Sequence, residues 1–99
     1  MKLKLLGYTI FITITKNNPI DLSPVEYYFS HSHNRMIPIR EMGIDYLRNA
    51  LLKELGMSDL RHLESEKVIK HLTDYEFTDN ITLTLFNELK RKVEKSKKV

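Results

Sequence analysis

The chain contains no cysteine, so disulfide staples, thiolate chemistry and cysteine-held zinc are excluded. Its three glycines are too few and too scattered for a glycine-rich phosphate loop. No stretch approaches the roughly 20 apolar residues that a membrane-spanning helix needs. No nucleophile elbow or HExxH pair occurs either. These absences remove the main sequence signatures of catalysis, and neither a catalytic residue nor a cofactor is assigned. What remains has globular proportions. Hydrophobic residues make up 41% of the 99 positions and charged residues 29%, the composition of one small folded domain.

The net charge of +3 is unevenly placed. Lys90, Arg91, Lys92, Lys95, Lys97 and Lys98 face only Glu94, which gives residues 90–99 a local charge of +5. Residues 1–16 contribute +3 through Lys2, Lys4 and Lys16, and residues 17–89 carry −5. The expected organisation is a single α+β domain over residues 1–89, followed by a basic helix end and tail at 90–99. Such a tail suits phosphate or an acidic protein. It equally suits the negative end of a helix dipole and the ordinary role of a solubilising terminus.

Residues 5–15 are uncharged and bracketed by Lys4 and Lys16. Tyr8, Ile10, Ile12 and Ile14 alternate with Thr9, Phe11, Thr13 and Thr15, a period of two in β-branched and aromatic residues that predicts a strand. Two lysines before an apolar run also resemble a secretion signal. The threonine content and the lack of a small-residue cleavage site argue against it, and a cytoplasmic location is expected. Further on, Ser23-Pro24-Val25-Glu26 matches a capping box with proline at the first helical position, which favours a short helix. The rival is a strand over residues 25–30, because Tyr27, Tyr28 and Phe29 favour sheet. Met36 to Ile39 suit a short edge strand.

Three helices follow. Met42, Tyr46, Leu47, Ala50, Leu51 and Leu55 form one stripe over residues 40–55, ended by Gly56. Ser58 caps a second helix over 59–72, with Leu60, Leu63, Val68 and Leu72 inward. Thr78 or Asp79 caps a third over 80–95, with Ile81, Leu85, Leu89 and Val93 inward and Phe86 beside them. The expected fold is therefore a small sheet of two or three strands, including the N-terminal one, packed on a three-helix cluster.

A strand alone is unstable and a hairpin is marginal, so the strand at 5–15 needs a partner. Residues 25–30 or 36–39, a second copy of the chain, or another protein would serve. A small sheet leaves an edge in every case. Tyr27, Tyr28 and Phe29 are contiguous, so no single face buries all three, and exposed tyrosine suits an interface. The expected function is accordingly a non-enzymatic adaptor or regulator that binds another protein through Tyr27, Tyr28, Phe29, Phe11 and Thr13, with a homodimer through the N-terminal strand as one form.

The alternative is a small DNA-binding regulator. Residues 46–72 resemble a helix-turn-helix in Leu51, Leu55 and Gly56. Arg61, Lys67, Lys70, Arg91, Lys92 and Lys95 would then meet phosphate. Against this, His62 stands where an apolar residue is wanted, and Asp59, Glu64 and Glu66 cancel the cations of the second helix. Metal binding has thinner support. His31 and His33 share a face if extended, but His62 and His71 lie on opposite sides of a helix, and no ligand set follows from that spacing.

Overall fold

The structure is a computed structural model and describes residues 21–97. The strand expected at 5–15, with Phe11 and Thr13, lies outside the described residues. Within them the fold is α+β. Two antiparallel strands, β1 (Tyr27–Ser30) and β2 (Arg35–Pro38), precede three helices, α1 (Ile44–Glu54), α2 (Ser65–His71) and α3 (Asn80–Lys97).

The helix favoured after Ser23 does not form. Asp21 accepts a hydrogen bond from the Ser23 amide (2.9 Å), and Thr84 Oγ1 on α3 accepts one from the Val25 amide (3.2 Å). Both bonds engage the capping-box residues outside a helix, and the aromatic run then enters the sheet. Tyr28 and Ser30 turn inward while Tyr27 and Phe29 turn outward. The register pairs Tyr28 with Ile37 and Phe29 with Met36. One further bond, from the Ile39 amide to the Glu26 carbonyl (2.9 Å), extends the ladder past the strand ends. Asn34 closes the turn at φ 52°, a left-handed conformation that asparagine tolerates.

The helix expected from residue 40 also begins later. Ile39–Glu41 form a single 3-10 turn, Gly43 is extended, and α1 starts at Ile44. Its end follows expectation. Gly56 adopts φ 71°, its amide donates to the Lys53 carbonyl, and Met57 donates to Leu52. This pair of bonds is the Schellman arrangement that favours glycine at the helix stop.

The single helix expected over 59–72 is two pieces, a 3-10 turn (Ser58–His62) and then α2. Two causes act together. Arg61 Nε donates to the Ser58 carbonyl (3.0 Å), and His62 Nδ1 bonds the Asp59 carbonyl (2.8 Å), engaging acceptors that a continuing α-helix would use. In addition, Leu63 and Val68 are five residues apart, about 140° off one stripe in a straight helix. Extended backbone at Leu63 and Glu64 resets that phase, and Val68 and Leu72 are buried.

Asp79 caps α3, its carboxylate accepting from the Thr82 amide at 2.8 Å. The buried stripe is Thr82, Leu85, Phe86, Leu89 and Val93. Ile81, expected inward, is exposed, and Thr82 takes its place. The core lies chiefly where α1 meets α3, with Leu47, Leu51, Leu52, Leu85 and Leu89 fully buried. The sheet closes one side of it through Tyr28 and Ile37.

Candidate interaction face and adjoining clefts

A two-stranded sheet has one face for the core and one to spare. Alternation sends Tyr28 and Ile37 into the core, so Tyr27, Phe29 and Met36 are left on the opposite side. Their relative exposures are 49%, 40% and 54%. Phe29 and Met36 are directly opposite in the ladder, and His31 meets Phe29 edge-on with ring centroids 4.9 Å apart. The result is a continuous apolar strip, uncovered among the described residues. Met36 was not singled out as a site residue in the sequence. Its place across from Phe29 is set by the turn length, which the sequence pattern left open.

Tyr28 belongs elsewhere. It is buried, and its hydroxyl donates to Glu54 Oε2 at 2.9 Å across to α1. Burial first, and the Glu54 carboxylate second, hold that phenol well above its ordinary titration range. Its inclusion among the surface contacts is corrected on this ground: the aromatic triplet divides into one core residue flanked by two exposed ones.

At the turn end of the hairpin, polar groups gather. His33 Nδ1 lies 3.0 Å from Ser30 Oγ, 3.3 Å from Ser32 Oγ and 3.4 Å from Tyr46 Oη. Ser30 is buried and Ser32 is also within 3.2 Å of it. This cluster ties the turn to the first helical turn of α1. Among the described residues, no three histidines or carboxylates come together in a way that could hold a metal. His31 and His33 are in the hairpin turn, His62 is bonded within its own 3-10 turn, and His71 ends α2.

The six cations considered for nucleic acid are split among four places. Arg61 lines a cleft between the hairpin, α1 and the 3-10 turn. Lys67 and Lys70 project from α2. Arg91 and Lys95 line an open cleft of about 620 Å³ with Arg40, Tyr27, Glu26 and Glu41. Lys92 is turned inward: its ammonium donates to the carbonyls of Arg40 (2.7 Å) and Met42, and lies 3.9 Å from Glu88. It works as a clamp between α3 and the turn that leads into α1. The extended backbone at Leu63 and Glu64 also removes the continuous second helix on which the helix-turn-helix resemblance depended.

Arg91 is itself partnered, donating to both oxygens of Glu88 at 3.1 and 2.5 Å. That bond, assisted by the charges of Arg91, Lys92 and Arg40, holds the Glu88 carboxyl below its ordinary value despite partial burial. On the far side of α3, Lys97 pairs with Glu66 at 2.5 Å and joins α3 to α2. No helix among the described residues is long and apolar enough to cross a membrane. Comparison with family models, curated proteins and solved structures gives no match to this chain.

Proposed function

We propose that the chain is a non-enzymatic adaptor or regulator that binds another protein through the outer face of its hairpin. The observation that carries this reading is the strip of Tyr27, Phe29 and Met36, exposed by 40–54% on the side of the sheet turned away from the core. Large apolar groups grouped in this way mark contact surfaces more often than scattered ones do. The occupant is an extended, acidic segment of the partner. Extended backbone matches the strand edges left unpaired among the described residues, and Arg40 and Lys95 stand at the Tyr27 end of the strip, beside Glu26, Glu41 and an Arg91 that is engaged by Glu88. Dispersal of the remaining cations favours a protein partner over nucleic acid, whose phosphates reward one continuous basic surface. Phe11 and Thr13, outside the described residues, stay in the proposed contact on their sequence pattern alone, and a cytoplasmic setting suits the cysteine-free composition.

The test begins with the full chain as bait in host extract and continues with the purified partner. Phe29→Ser with Met36→Ser should weaken that complex by about tenfold or more, leaving the thermal midpoint of the free chain in place. A complex indifferent to the double substitution would remove the hairpin from the interface. Self-association lost in the same variant, measured by light scattering, would put a second copy of the chain on the strip instead.

A further inference from the structure

A separate cleft lies at the other end of the hairpin, and the geometry points to it as a binding site for a small phosphomonoester. It has a volume of about 310 Å³, at the lower end for small-molecule pockets. Three elements form its walls: the turn after β1, the exposed side of α1 and the 3-10 turn at Ser58–His62. Tyr46, Asn49 and Lys53 follow one another at three- and four-residue steps, so α1 presents all three to the cleft.

The lining is unusual in its sign. Lys53 and Arg61 bring two positive charges, hydroxyls come from Ser32, Ser58 and Tyr46, and no carboxylate lines the cleft. Glu54, the nearest acid in sequence to Lys53, is outside the lining, where its Oε2 accepts from the Tyr28 hydroxyl. Neither Lys53 nor Arg61 is in an ion pair with another described residue. Arg61 Nε is held by the Ser58 carbonyl at 3.0 Å, which fixes the guanidinium plane and leaves its terminal nitrogens to donate. Asn49 accepts from Arg48 Nε through Oδ1 at 3.3 Å, so its amide nitrogen is likewise left as a donor. Pre-oriented donors, two cations and a lining without carboxylates suit a dianionic tetrahedral oxyanion. The cleft is larger than a phosphate group alone, and the Tyr46 ring supplies a flat apolar wall for a small organic substituent.

The experiment is a backbone-amide NMR titration of the full chain with phenyl phosphate and, separately, inorganic phosphate, at constant ionic strength. The expected result is saturable shifts confined to Asn49, Lys53, Ser58 and Arg61, with the ester binding more tightly. Lys53→Gln and Arg61→Gln should each weaken binding about tenfold, with no change in the dispersion of the spectrum. Lys67→Gln, on α2, should leave it unaltered. Shifts spread evenly over Lys67, Lys70, Lys90 and Lys95, or binding indifferent to Lys53→Gln and Arg61→Gln, would overturn the site. Equal affinity for the two probes would overturn the assignment to an ester.

Discussion

The helix pair and the hairpin bury their side chains on different terms. Where α1 meets α3, Leu47, Leu51, Leu52, Leu85 and Leu89 are enclosed from every side. In the hairpin, Tyr28 and Ile37 are enclosed, but their neighbours Tyr27, Phe29 and Met36 face outward and are 40–54% exposed. The first region spends its hydrophobic surface on folding. The second holds some in reserve, which is why the hairpin, and not the helices, is the place to look for a partner.

Core truncation gives the largest contrast. Leu51→Ala or Leu89→Ala should cost about 2–5 kcal/mol, because each leaves a cavity among packed neighbours. Phe29→Ser or Met36→Ser should stay within about 0.5 kcal/mol, as expected of exposed positions. Urea midpoints at constant slope read both. Equal losses in the two regions would mean that the outer strip is covered in the free chain, and the proposed function would lose its surface.

Lys92 and Lys95 sharpen the comparison next. They are three residues apart on α3, and only Lys92 reaches backbone carbonyls at the junction of hairpin and helix. Lys92→Met should cost about 1–3 kcal/mol, since it removes a charged donor from partly buried acceptors. Lys95→Met should cost nothing measurable by the same denaturation. Similar values for the two would reduce the clamp to a surface contact.

The helical half of the fold was legible because its signals are local and redundant. The stripe of Leu47, Ala50 and Leu51, the stop at Gly56 and the cap at Asp79 each specify their own surroundings. The hairpin was less so. Ser23 to Glu26 carry a valid helix-start pattern, and it is overridden by a long-range bond from Val25 to Thr84, which no local pattern contains. The break after His62 was half visible, in the five-residue step from Leu63 to Val68. The side-chain bonds of Arg61 and His62 that help fix it were not. Of the interaction strip, the exposure of at least one residue among Tyr27, Tyr28 and Phe29 followed from their contiguity alone. Which of them points inward required the strand phase, and Met36 required the register. The cleft around Lys53 and Arg61 joins three elements distant in sequence, and only its α1 wall could have been drawn from spacing.

Tyr28 offers a finer probe of the buried face. Tyr28→Phe keeps the ring and removes the hydroxyl from Glu54, which is itself exposed and can turn to water. The expected loss is about 1 kcal/mol. Since burial and Glu54 both keep the phenol protonated, its loss should be the same from neutral to mildly alkaline pH in paired denaturation curves. A loss that grew on raising the pH would mean that the phenol ionises more readily in the folded chain than in the unfolded one, and is not held protonated by burial and Glu54.

The smallest expected effect is electrostatic and concerns the α3 face beside the Arg40 turn. Glu88 is held below its ordinary value of 4.5, first by the hydrogen bond from Arg91 and then by the charges of Arg91, Lys92 and Arg40, with burial opposing. A carboxyl whose folded value is depressed binds its proton more tightly in the unfolded chain. Its stabilising contribution is therefore complete above 4.5 and is lost as the pH falls through the lower, folded value. Wild type should exceed Glu88→Gln in urea midpoint at about pH 7, and the two should converge as the solution is acidified toward about pH 3. Other carboxyls titrate in both proteins, so the difference between them isolates Glu88. A gap that stayed constant across the range would assign the contribution of Glu88 to packing and leave its bond to Arg91 without energetic weight. The Arg91 guanidinium would then be as free as Arg40 to meet an acidic partner.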